Sequence, residues 1–403
     1  MKEQRVDPQQ LTESKKLVIT TLRRKGPQTK TQLSKLCGLG WATVVKVVTQ
    51  LGDEGIIESR GTTIDKPGDL RSSSDLYGLR SDYPLTIGID VEYNTARLVL
   101  TNLAGTIIGE ITEHRTPHGA TLAEVIAFLQ RITEEFIGKH DMTAADLAGV
   151  GIGIPGIGFP VQSRRENQQI ANRLESTLEG HFGTCVRVGT NTHAYTIFEK
   201  WTNETFASND FVFVSIRTGV GTGIFQGGTL YTGMTGLSGE IGHMKLIPGG
   251  APCRCGGTGC VETIVNEHHL VHEYRMHVLK DAGWCLDSLD QDCRFEGLAD
   301  LFSRAKSGDQ TAERIINGAG RYLGKALANC VAVLDITNII LSGHFGPDGD
   351  AIIPAIKDVV QSEVVPGVDI DIRYLPFDAN GHTLGAALLV LNQFFLDVPV
   401  LHG

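Results

Sequence analysis

No apolar run in this 403-residue chain approaches the roughly 18 residues of a membrane-spanning helix. The opening MKEQRVDPQQ is polar and lacks the apolar stretch of a secretory signal. The expectation is therefore a cytoplasmic protein without a membrane partner, in a compartment where thiols stay reduced and disulfides are rare. No segment recurs at a period of 20–50 residues, which argues against solenoids and propellers. Cysteine is scarce at 8 residues, and Cys37, Cys185, Cys285, Cys293 and Cys330 stand apart from one another, as core cysteines do.

With 41% hydrophobic and 20% charged residues, the composition is that of an ordinary globular protein with enough apolar mass for a core. Its length calls for two or three domains. The net charge of −10 is unevenly spread. Residues 1–80 carry 14 Lys and Arg against 9 Asp and Glu, a balance of +5, and the remainder carries 22 against 37, a balance of −15. A basic head on an acidic body points to a polyanion as partner of the head.

Residues 10–51 read as three helices. In LTESKKLVITTLRRKG the residues Leu11, Leu17, Val18 and Leu22 form a helical stripe. QTKTQLSKLCGLG predicts a short second helix with Leu33 and Leu36 inward and a turn at Gly38 and Gly40. WATVVKVVTQL predicts a third, with Val44, Val47, Val48 and Leu51 inside. Two β-like runs, GIIES and DLYGL, flank the polar loop RGTTIDKPGDLRSSS and suit a wing. This is the helix-turn-helix plan; a small dimerisation bundle is the alternative. From Leu85 the pattern changes to strand groups alternating with helices. LTIGIDVEYNTARLVLTNLAGTII predicts a meander with a turn at Asn102–Gly105. TLAEVIAFLQRITEEFIGKH predicts a helix, LAGVGIGIPGIG a buried strand ending at Pro155–Gly156, and FVFVSIRTGVGTGIFQGGTLYTG a second hairpin group. AGRYLGKALANCVAVLD then reads as a helix, ITNIILSG as a strand and HTLGAALLVLNQFF as a closing helix. That order indicates a two-lobed α/β body with a cleft.

The stretch GEIGHMKLIPGGAPCRCGGTGCVE gathers His243, Cys253, Cys255 and Cys260 in a Gly-rich frame. Three thiolates and one imidazole suit tetrahedral zinc, and four protein ligands make a closed, structural site. Buried free cysteines are the alternative.

The motifs GLGWATVVKVVTQL, IPGIG, RTGVGTGI, GLSGEIGHMKL, CRCGGTGCVE, AGRYLGKALANCVAVLD and HTLGAALLVL resemble the ROK family of sugar kinases and sugar-responsive repressors. The resemblance implies an α/β protein: a winged helix-turn-helix at residues 1–82, then a two-lobed actin/hexokinase-like ATPase fold at 83–403. It implies zinc at His243, Cys253, Cys255 and Cys260. It also implies sugar hydroxyls on Glu240, His243 and Glu262; that these hydroxyls also bridge to Gly156 or Asn191 across the cleft is a separate expectation. In such a head the third helix enters the major groove of operator DNA. The candidate contacts are Trp41, Thr43, Lys46 and Gln50, with Lys30 and Thr31 at the start of the second helix.

The chain departs from the family's kinases in three places. The first phosphate loop, D-I-G-G-T in the family, reads DVEYN from Asp90 to Asn94, where bulk and a negative charge replace glycines that admit phosphate. The adenosine-side motif reads LSGHFG. The catalytic Asn-Asp pair falls on Thr190–Asn191 when counted from Glu199, or on Asn191–Thr192 after a one-residue shift; neither supplies the base. No catalytic residue is therefore assigned. The expected function is a sugar-responsive regulator, a repressor without kinase activity. Its partners are an operator duplex and a sugar or sugar-phosphate effector, and it acts as a homodimer or dimer of dimers because such heads read paired half-sites. Two rivals stand beside it. One is a kinase with an accessory head. The other is a ligand-independent DNA-binding adaptor, suggested by SRRENQQIANRLES, which is shorter and less regular than the family's sugar-side loop.

Overall fold

In a computed structural model, the described residues are 11–64, 73–83, 85–92, 95–116, 120–156, 164–203, 210–234, 236, 238–281 and 297–395. The chain divides into two compact units. The first comprises Met1–Pro155, Gln169–Phe198 and His382–Gly403, and the second Gly156–Gln168 and Glu199–Gly381.

Helix α1 (Glu13–Lys25) starts where the Thr12 hydroxyl accepts the Lys15 amide. It buries Val18, Ile19 and Leu22, with Leu17 half-buried. A two-residue strand β1 (Gln28–Thr29) leads into α2 (Lys30–Cys37) through a capping box: the Gln32 N–H donates to the Thr29 hydroxyl at 3.2 Å, and the Thr29 N–H to Gln32 Oε1 at 2.8 Å. Gly38, at φ 63°, ends α2 in the left-handed conformation that favours glycine. Helix α3 (Trp41–Asp53) buries Val44, Val47, Val48 and Leu51 as expected. Leu36 was expected inward but is 50% exposed. In an eight-residue helix the i+4 position shares the inner face of Leu33 more closely than i+3, and Cys37 takes it. Strands β2 (Ile57–Ile64) and β3 (Ser73–Leu79) pair antiparallel as the wing, and β1 pairs with the other edge of β3. Residues 65–72 of the wing loop lie outside the described residues.

Strands β4 (Leu85–Val91), β5 (Thr95–Asn102) and β6 (Ile107–Arg115) form the expected meander. Its turn is held by Asn102 Oδ1, which accepts the amides of Ala104 and Thr106, each at 3.0 Å. Helix α4 (Leu122–Lys139) follows a capping box of Thr121 and Glu124. Strand β7 (Leu147–Ile154) runs parallel to β4. SRRENQQIANRLES, read above as shorter and less regular than the family's sugar-side loop, runs into α5 (Arg164–Phe182). Strand β8 (Cys185–Thr190) then pairs with β7, and α6 (Asn191–Thr202) follows directly. The sheet order is β6-β5-β4-β7-β8.

The second unit repeats this plan. Strands β9 (Phe211–Ile216), β10 (Val220–Gln226) and β11 (Thr229–Tyr231) are antiparallel. The short α7 (Glu262–Val265), α8 (Glu267–Asp281), α9 (Leu298–Lys306) and the 25-residue α10 (Gln310–Leu334) come next. Strand β12 (Asn338–Gly343) runs parallel to β9. It is followed by α11 (Ile353–Glu363) and by β13 (Asp371–Tyr374), which is parallel to β12. The order β11-β10-β9-β12-β13 matches that of the first sheet strand for strand. Val214, Ile216, Leu323, Leu327, Leu341 and Ile356 anchor its core.

Helix α12 (Gly381–Leu391) returns to the first sheet. Strands β4 and β7 are buried throughout, as expected of strands covered on both faces. The approach of α12 is close: a Cβ at Gly88 would lie 2.1 Å from the Thr383 carbonyl oxygen, and one at Gly151 only 1.8 Å from that of Ala386. Glycine is required at both.

Candidate DNA-reading face and metal-ligand loop

The second and third helices of the head carry the candidate DNA contacts. Trp41 is 56% exposed, and Thr31, Thr43 and Lys46 are exposed, while Gln50 and Lys30 are half-buried. Lys30 is tied to the wing, its ammonium lying 5.0 Å from the centre of the Tyr77 ring. The cation that opens α2 and the wing strand therefore form one surface. The pairing was not legible in the sequence. Inside the head, a buried Lys15 pairs with Glu54 and joins α1 to the end of α3.

In the second unit, a 3-10 turn at Ile241–His243 carries the imidazole. A loop closed by isolated β-bridges at Lys245–Cys260 and Pro252–Thr258 carries the thiols. The four donor atoms of His243, Cys253, Cys255 and Cys260 all lie within 4.8 Å of one another. Cys253 Sγ is 3.5 Å from His243 Nδ1, and Cys255 Sγ is 3.6 Å from Cys260 Sγ. A tetrahedral ion with metal–sulfur bonds of about 2.3 Å separates its sulfurs by about 3.8 Å, so the donors fit one ion. Burial pushes the Cys260 thiol up to about 12, helped by the two other thiols, and raises Cys253. Cys255 is held below its ordinary value: burial, which would raise it, is outweighed by the Gly257 amide and the neighbouring thiols. Three such sulfurs become thiolates together when a cation compensates their charge. His243 Nε2 faces Glu240 Oε2 at 3.6 Å, the carboxylate-behind-imidazole arrangement that orients a ligating histidine.

The residues implied to hold sugar are distributed unevenly. Glu240, His243 and Glu262 share the second unit, and Gly156 belongs there too rather than across from them. A Cβ at Gly156 would stand 2.9 Å from Glu240 Oε1, so glycine gives this carboxylate room. Asn191 belongs to the first unit. It opens α6, as the family pattern requires of its pair, and its side-chain amide donates to the Val91 carbonyl at 3.0 Å. Its Oδ1 and that of Asp90 both lie 3.6 Å from a Cβ placed on Gly153. In the altered first loop the Glu92 N–H donates to the Thr95 carbonyl at 2.7 Å, and Tyr93 and Asn94 lie outside the described residues. Glu199 is buried, and burial, with nearby Asp378, raises its carboxyl to about 7.

Glu262 holds a contact that sequence reading missed. It is 4% exposed and its Oε2 accepts the Val220 N–H at 2.9 Å. The Arg254 guanidinium grips both oxygens, with Nε 2.9 Å from Oε1 and an Nη 3.2 Å from Oε2. The available signal was a cation set between two ligand cysteines, in C-R-C, just ahead of the C-x-E acid.

The description "ROK family" matches residues 86–393. The chain belongs to the ROK family. Among ROK relatives, it is 29% identical to the glucokinase of Halalkalibacterium halodurans over 320 residues, 76% of this chain and 95% of that protein. It is 26% identical to the xylose repressor of Bacillus spizizenii over 396 residues, 96% of each chain. It is also 25% identical to the DNA-binding transcriptional dual regulator NagC of Escherichia coli, over 84% of this chain and 82% of that one. A solved ROK family transcriptional regulator, described as a homolog of the E. coli MLC protein, shares the fold over 98% of both chains, with a TM-score of 0.77 at 23% identity. A ROK hexokinase from Thermus thermophilus matches 76% of this chain with a TM-score of 0.57. The kinases thus leave about a quarter of the chain unmatched, whereas the xylose repressor covers nearly all of it. No described helix is long and apolar enough to cross a membrane.

Proposed function

We propose that this ROK protein is a sugar-responsive DNA-binding transcriptional regulator, acting as a repressor. Residues 1–82 read an operator, and residues 83–403 sense a sugar without phosphorylating it. The observation that carries the reading is the winged head joined to a ROK body; we assign the base position to Asn191, whose amide donates to the Val91 carbonyl, and a one-residue shift would place Thr192 there instead. An amide cannot take the proton of a sugar hydroxyl as a carboxylate does. Relatives named as repressors, similar along most of the chain, support the regulatory reading.

In this reading α3 lies in the major groove. Thr43, Lys46 and Gln50 face base edges or phosphates, Trp41 makes apolar contacts, and Lys30 and Thr31 hold the backbone. One zinc ion on His243, Cys253, Cys255 and Cys260 fixes the loop that aims Glu240, His243 and Glu262 at sugar hydroxyls. A homodimer presents two heads to paired half-sites. The sugar relieves repression by binding the released form more tightly than the operator-bound form. By reciprocity, operator DNA changes sugar affinity by the same factor.

The test is operator binding by the full chain across a salt series, with and without sugars. Lys46→Ala is expected to weaken binding and lower the slope of log affinity against log salt by about 1. Unchanged affinity and slope would sink the assignment of α3. Equal sugar affinity with and without operator would make the body an adaptor rather than a sensor.

A further inference from the structure

The sensing reading gives Glu262 the task of meeting sugar hydroxyls, yet both of its oxygens are already engaged. The Arg254 guanidinium spans them at 2.9 and 3.2 Å, and the Val220 amide adds a third bond. The fit is close: a Cβ at Gly219 would fall 2.2 Å from an Arg254 nitrogen and 2.8 Å from Glu262 Oε2. A bidentate arginine on a buried carboxylate is among the stronger charge-assisted contacts. Withdrawing the arginine leaves a buried charge uncompensated, which is costly. A neutral sugar offers the displaced guanidinium no anion in return.

The surroundings supply a place for one. Arg254 and Glu262 line a cavity of about 270 Å³, together with Thr218, Asn266, His268 and His272. The Arg254 side chain is 38% exposed, whereas the Glu262 side chain is only 5% exposed. His268 and His272 stand one turn apart on α8, their rings nearly parallel at 15° with centres 6.3 Å apart. Imidazole N–H groups and a guanidinium on one cavity are donors for an oxyanion. An occupant with an anionic group can take Arg254 from Glu262, so that the arginine exchanges one anion for another. Glu262 is then free for the occupant's hydroxyls.

We propose that the effector is an anionic sugar, carrying a phosphate or a carboxylate beside its hydroxyls, and that Arg254 is the latch that selects for this charge. The proposal rests on the sensing role given to Glu262 above. The shared chemistry is an oxyanion on a polyol, and the two sources are separated by the probes.

The experiment is calorimetric titration of the metal-loaded full chain with inorganic phosphate and with matched sugars: glucose, glucose 6-phosphate and glucuronate; N-acetylglucosamine and its 6-phosphate; xylose and xylonate. At least one anionic member is expected to bind roughly 10- to 100-fold more tightly than its neutral counterpart, as a charge-assisted pair allows. Preference for the phosphates or for the carboxylates identifies the source. Arg254→Gln should collapse the ratio towards unity, Arg254→Lys should restore part of it, and His268→Gln/His272→Gln should lower it. Neutral sugars binding as tightly as their anionic partners, a ratio unmoved in Arg254→Gln, or no binding by phosphate and every anionic probe would each overturn the proposal. Operator affinity is read separately in the same samples. A neutral sugar that releases DNA leaves the regulator reading standing and removes the latch. Charge-selective binding without any effect on DNA would show that the anionic sugar is not the effector, which overturns the proposal and the sensing role together.

Discussion

The two units share one sheet plan, three antiparallel strands followed by two parallel ones in the same spatial order, but they have kept different amounts of chemistry. In the first unit the chain reads DVEYN where β4 ends, and Asn191 opens α6. In the second unit the hairpin of β9 and β10 retains RTGVGTG. One of its amides, that of Val220, holds Glu262 beside the clustered thiols. Buried strands and crossing helices demand apolar residues and glycines at fixed places whatever the site does. The side chains at the strand ends carry no such load, so sheets of one plan can hold different sites.

The largest effect belongs to the second unit's loop. Cys255→Ser should abolish the expected one zinc per chain and lower stability by about 5 kcal/mol or more, because metal binding and loop folding are one process. Elemental analysis and melting curves check this, and an unaltered zinc content would refute it. Next comes Gly151→Ala in the first unit, where a Cβ would stand 1.8 Å from a backbone oxygen of α12. It should cost about 3 kcal/mol or more. Gly153→Ala, two residues on with no atom closer than 3.6 Å, should be nearly silent in the same denaturant titration.

A similar effect is expected from Glu199. Its folded carboxyl titrates at about 7 against an ordinary 4.5, so between those values the folded protein binds more protons than the unfolded chain. Stability should therefore fall as pH rises through that window, by an amount on the order of 3 kcal/mol. Glu199→Gln should flatten the fall. Melting at pH 5 and pH 8 measures both, and an equally steep fall in the variant would show that another group is responsible. The smallest expected change is none. Asn191→Asp restores one element of the base but leaves Glu92 and Tyr93 in the first loop, so a coupled ATP assay with sugars should still read no turnover. Measurable phosphorylation by this variant would mean that the two units differ less in chemistry than their loops indicate.

Local chemistry was legible where neighbours in sequence are neighbours in space. The three helices of the head, the turn at Asn102 and the meander follow from spacing, and the four candidate metal donors from spacing together with the family resemblance. Elements with weak periodicity were not anticipated. Helix α8 spends four of its positions on histidine, and β13 is only four residues long. Leu36 was misassigned because eight residues define a stripe too loosely to separate i+3 from i+4.

Element types along much of the chain and a donor set that suits one metal ion were readable in the residues themselves. These depend on periods and spacings of a few residues. The tertiary structure alone decided that two sheets share one order, that Lys30 leans on Tyr77 and that Arg254 closes on Glu262. Strand order and side-chain pairing are set by packing between segments, and an alternation of apolar residues fits many partners equally well until the core chooses one.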